Sequence, residues 1–105
     1  MESIELALIG QKLTDLAWSG GLVDGEGCIG IHGGTLKLDV QSTSRITIET
    51  LFKVLGGNCS VESRRTKMGR PVFRWNLYGK NARLCLIKII PYMVEKKRQA
   101  QLAVS

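Results

Sequence analysis

At 105 residues, with 44% apolar and 23% charged side chains, the chain has the size and composition of one globular domain, which excludes a disordered, fibrous or low-complexity polymer. No apolar run is long enough to span a bilayer, Glu2 and Glu5 stand where a signal peptide carries a basic segment, and Cys28, Cys59 and Cys85 are widely spaced without a CxxC pair. These features argue against a membrane partner, a secreted disulfide framework and a zinc site, and predict free buried thiols in a cytoplasmic protein, or one of an organelle matrix if organelle-encoded. The net charge of +6 is unevenly placed: residues 1–60 hold four Lys/Arg against seven acids, and residues 61–105 hold eleven against two.

Residues 2–12 (ESIELALIGQK) predict a short or frayed helix, and Thr14 or Asp15 caps a second one carrying Leu16, Ala17, Trp18, Leu22 and Val23. After Gly27 the period changes from helical to alternating. CIGIH sets Ile29 and Ile31 on one face, Gly33-Gly34 signals a hairpin, and TLKLDVQ turns Leu36, Leu38 and Val40 inward. A helix over about residues 46–55 stops at Gly56-Gly57. CSVESRR and PVFRWNLY form a second hairpin, with Phe73, Trp75 and Leu77 on one face and Arg74 and Asn76 on the other. Asn81 caps a helix through Ile90, and Pro91 starts another carrying Glu95, Lys96, Lys97, Arg98 and Gln99. The order αββαββα predicts an α+β fold: a four-stranded antiparallel sheet packed on helices, with Trp18 and Trp75 in the core.

One sheet face then packs on helices while the other displays Cys28, Gly30, His32, Lys37, Asp39, Gln41, Glu62, Arg64, Arg74 and Asn76. Arginine suits guanine, Gln or Asn suits adenine and a carboxylate suits cytosine, so this face is equipped to read base edges in a major groove. Arg64, Arg65, Lys67, Arg70 and Arg74 add the clustered positive charge that meets a phosphate backbone. An ordinary solvated surface has the same composition, so the face alone leaves both readings open.

The stretch SGGLVDGEG, residues 19–27, separates them. Within LAWSGGLVDGEGCIGI, from Leu16 to Ile31, it lies over the nine signature positions and resembles the LAGLIDADG family of homing endonucleases, as does the element order. The segment Pro91-Tyr92 through Lys96-Lys97-Arg98-Gln99-Ala100 is similar to that family's C-terminal stretch with its active-site lysine. Ser19 stands where leucine is usual, Gly20 replaces alanine, and the first hairpin is short, which implies a smaller DNA-reading surface.

The resemblance implies a site-specific double-strand DNA endonuclease of an intron or other mobile element. Single-motif chains of this family work as homodimers on near-palindromic double-stranded DNA, each subunit one domain forming half of a saddle and cutting across the minor groove to leave 3′ overhangs. By the same resemblance the second acid, Glu26, is the metal ligand and a catalytic residue, Asp24 is structural, Lys96 is the catalytic lysine with Lys97 as its alternative, and Ser44 touches the catalytic water network beside Gln41 and Arg45. Mg²⁺, or another divalent cation such as Mn²⁺ or Ca²⁺, is the implied cofactor. The DNA contacts implied by face and family together are His32, Lys37, Asp39, Gln41, Arg45, Glu62, Arg64, Arg65, Lys67, Arg70, Arg74, Asn76 and Lys97.

Residue chemistry supports the pairing. Ala17, Gly21 and Gly25 recur at i, i+4 and i+8 as a small-residue stripe, and each internal glycine costs a helix about 1 kcal/mol, a cost that close packing on a second copy offsets. With Gly20 and Asp24 these residues are the expected dimer interface. Two such helices meeting at a dyad bring two Glu26 carboxylates together, unfavourable for bare anions and suited to a divalent cation. A catalytically inactive DNA- or RNA-binding relative, regulator or maturase, is the alternative, and an unrelated protein–protein module is a third.

Overall fold

The computed structural model describes residues 2–105, with side chains at residues 12–62 and 66–105. A single helix, α1, runs over Glu2–Glu26 where the sequence suggested two. Thr14 and Asp15 lie inside it rather than at a start. Further along, the buried Ser19 is satisfied within the helix, its hydroxyl donating to the Asp15 main-chain carbonyl four residues back at 2.7 Å.

α1 passes without a loop into β1 (Gly27–His32). A Cβ at Gly27 would lie 2.7 Å from the Val23 carbonyl oxygen, so the glycine that closes the motif is what lets the helix turn directly into a strand. β1 pairs antiparallel with β2 (Thr35–Ser42) through Gly33 and Gly34, whose φ values of 59° and 82° are those of a mirror-image two-residue turn. Ser44 then caps α2 (Arg45–Leu55), its hydroxyl accepting from the Thr47 amide at 3.4 Å, and Gly56 ends that helix by donating to the Phe52 carbonyl.

The second hairpin joins β3 (Asn58–Arg65) to β4 (Pro71–Tyr78), with a register shift between Val61 and Arg65. α3 (Gly79–Ile89) follows at once, so Asn81 lies in its first turn instead of capping it. The C-terminal helix expected from Pro91 is interrupted. A 3₁₀ turn at Ile90–Tyr92 gives way to extended backbone at Met93, and α4 (Lys97–Val104) begins only after Lys96. The physical reason is Asp24, whose carboxylate takes the amides of Glu95 and Lys96 and holds the segment off a helical path.

The sheet order is β1-β2-β4-β3, all antiparallel, which puts β2 and β4 at the centre. Leu36, Leu38, Val40, Trp75 and Leu77 point from them into a core completed by Val23, Ile48, Leu51, Leu86 and Ile89. Trp75 is fully buried and donates its indole N–H to the Gly56 carbonyl at 2.7 Å. Trp18 departs from expectation: it is 40% exposed and does not join the core cluster. No described helix is long and apolar enough to cross a membrane.

Candidate nucleic-acid interface and active site

Opposed residues of antiparallel strands share a face, so the register defines the polar surface. Cys28 lies opposite Asp39, and Asp39 opposite Asn76; Lys37 pairs with Tyr78 and Gln41 with Arg74. The sheet therefore brings Lys37, Asp39, Gln41, Arg74 and Asn76 onto one side, with Glu62 reaching Arg74 from β3. Lys37 sits 5.4 Å from the centroid of the Tyr78 ring, and Asn58 donates to Asn76 at 3.4 Å. Tyr78, not among the residues expected on this face, continues the alternation of Arg74 and Asn76, a signal present in the sequence. His32 is exposed at the end of β1, its ring over Gly30, where a Cβ would meet Nε2 at 3.0 Å.

The remaining expected DNA contacts are dispersed. Lys67 and Arg70 project from the exposed β3–β4 turn, which is closed by Thr66 and Arg70 exchanging hydrogen bonds. Arg45 lies on the outer side of α2, bonded through Nε to Glu49 at 2.7 Å. The side chains of Arg64 and Arg65 lie outside the described residues. At the sheet centre Arg74 contacts two acids, Asp39 at 3.1 Å and Glu62 at 3.0 Å.

The second locus is the end of α1. Glu26, its last residue, is exposed and has no hydrogen-bond or ion-pair partner among the described residues. Two residues earlier, Asp24 is buried and clamps the start of α4: Oδ1 accepts the Lys96 amide at 2.7 Å and Oδ2 the Glu95 amide at 3.1 Å. The Lys96 ammonium returns to the Asp24 carbonyl at 2.5 Å. The Lys96 amide bond holds the Asp24 carboxyl below the ordinary carboxylate value, helped by the Glu95 and Val94 amides and outweighing the opposing effect of desolvation. Lys96 is thus fixed beside the helix end that carries Glu26, while Lys97 opens α4. Ser44 stands at the N-cap of α2, its hydroxyl accepting from the Thr47 amide and, at 2.9 Å, from the Thr47 hydroxyl.

Along α1 the small-residue stripe divides. Ala17, Gly21 and Gly25 are exposed, and a Cβ at either glycine would meet nothing within 4 Å. Gly20 and Asp24 face inward instead. A Cβ at Gly20 would lie 2.8 Å from Tyr92 Cβ and 2.9 Å from the Ile89 carbonyl, so that glycine serves close packing within the chain. Among the described residues no three acids, histidines or cysteines converge as a metal site. Glu26 is a free hard-oxygen donor of the type Mg²⁺ takes, and one chain contributes one of them.

Two successive helix–hairpin units, the first without a loop between helix and strand, on one four-stranded antiparallel sheet match the fold of solved homing endonucleases. The crystal structure of the homing endonuclease I-CvuI with its target Sro1.3 in the presence of Ca is similar at a TM-score of 0.69. I-CvuI with the I-CreI target C1221 in the presence of Mg, its DNA not cleaved, is similar at 0.66. Both are 24% identical, covering 90% of this chain and 66% of that one. No protein-family profile and no curated protein matches the chain.

Proposed function

We propose that the chain is one half of a homodimeric, divalent-metal-dependent DNA endonuclease of the LAGLIDADG homing type. The observation that carries this reading is Glu26: a free carboxylate at the end of α1, next to the exposed Ala17, Gly21 and Gly25 and at the start of the strand that leads onto the polar sheet face. I-CvuI, which shares the fold, is seen bound to DNA targets. The sheet reads a half-site through the major groove, and the paired ends of α1 lie over the central minor groove.

Hydrolysis needs a water in line with the leaving 3′ oxygen and positive charge against the phosphoryl oxygens in the transition state. Glu26 of each subunit would hold Mg²⁺, which would supply Lewis acidity and a more acidic bound water. Lys96 contributes positive charge at a position set by Asp24.

A supercoiled plasmid carrying a target site selected from randomised duplex DNA tests this, with and without Mg²⁺, using wild type and Glu26→Gln. Cleavage is expected only for wild type with metal, and DNA binding is expected to survive the substitution. Binding without cleavage by wild type would point to the inactive, binding-only class. Absence of any salt-sensitive affinity for duplex DNA would overturn both readings.

A further inference from the structure

Arg74 on β4 meets acid from both neighbouring strands, Asp39 of β2 and Glu62 of β3. All three side chains are mostly buried: Arg74 is 29%, Asp39 15% and Glu62 20% exposed. The Asp39 contact is ionic without being a hydrogen bond, since Oδ1 and Nε are shielded from solvent and neither has an aligned partner. Two carboxylates around one guanidinium leave a negative centre on a face that, among the described side chains, also carries Lys37.

A guanidinium already matched by two anions gains little from a phosphate, because existing pairs must be broken to reach it. It retains N–H donors that neither acid takes, and a guanidinium beside a carboxylate matches a C·G pair, donating to guanine O6 and N7 while the acid accepts from cytosine N4. We infer that Asp39 and Glu62 are specificity-determining residues that withhold Arg74 from DNA phosphates and reserve it for a base edge. The inference rests on the DNA-binding reading above and deepens it.

The test is binding of a random-sequence duplex by the full chain across a salt series, for wild type, D39N/E62Q, R74Q and the triple variant. Freed from its acids, Arg74 becomes a phosphate contact, so D39N/E62Q is expected to bind more tightly, with a steeper dependence of log K on log salt. R74Q is expected to lower that slope by about 0.9 more in the D39N/E62Q background than in wild type, the increment for one phosphate contact. Equal effects of R74Q in both backgrounds would mean that only bulk charge had changed, and the inference falls. It falls also if D39N/E62Q leaves binding unaltered. E62Q alone, on the edge strand β3, gives a smaller shift of the same sign and serves if the double variant does not fold. Wild type without salt-sensitive duplex binding removes the DNA-binding reading itself, and this inference with it.

Discussion

Asp24 works through the main chain: its two carboxylate oxygens satisfy two amides that no helix supplies, and so decide where α4 begins and where Lys96 stands. Since its folded carboxyl loses its proton more readily than the ordinary value of 3.8, the stability it contributes is fully present above that pH and lost as pH falls through the lowered value. Asp24→Asn retains one acceptor for two amides. Urea unfolding should therefore show the variant weaker at neutral pH, with the gap to wild type closing in acid; a gap independent of pH would contradict the clamp. Cysteine reactivity gives a second residue-scale check. Burial pushes the Cys85 thiol up to about 11, with Lys88 opposing, whereas Cys28 and Cys59 are exposed. Iodoacetamide on the native protein is expected to modify Cys28 and Cys59, and Cys85 only after unfolding. Native labelling of Cys85 would mean that the α3 core opens readily.

At the scale of elements, the glycines of α1 have opposite duties that one substitution each can separate. Gly20→Ala forces a methyl against Ile89 and Tyr92 and is expected to destabilise the fold by about 1–3 kcal/mol. Gly21→Ala meets no atom of its own chain and improves helix propensity, so it should stabilise the subunit by about 0.5–1 kcal/mol. If the exposed stripe is the dimer seam, that same alanine weakens association. Thermal melts with sedimentation velocity distinguish the two effects, and a Gly21→Ala protein that associates as wild type does would remove the stripe from the interface. The sequence could show that α1 needs close packing but not which glycine meets which neighbour, because Gly20 and Gly21 differ only in angle around the helix. The strands were legible because alternation is local: Leu36, Leu38, Val40, Trp75 and Leu77 are all buried. Helix limits were less so. Thr14, Asp15 and Asn81 carry good capping chemistry in places where the chain stays helical, and the late start of α4 depends on an aspartate 71 residues away.

One chain presents one Glu26, no three acids, histidines or cysteines converge among the described residues, and Ala17, Gly21 and Gly25 are exposed along the same helix. The motif pointed to Glu26 and the C-terminal segment to Lys96, with Lys97 as its alternative, whereas the charge balance at Arg74 emerged only once the register of three strands set Asp39 and Glu62 around it. If each strand of the duplex depends on carboxylates from two subunits, a mixed dimer exposes the arrangement. Wild type and Glu26→Gln, co-expressed with different tags and purified through both, yield a heterodimer whose shared cation site lacks one ligand. When the two carboxylates hold a common ion, loss of one impairs both cuts, and the heterodimer should leave supercoiled plasmid largely intact. When each subunit cuts with its own ion, the heterodimer should nick one strand and accumulate open circles. Linear product at the wild-type rate would show that Glu26 from a single chain suffices for both cuts, which one exposed carboxylate per subunit does not allow, and the paired-helix reading would fall with it.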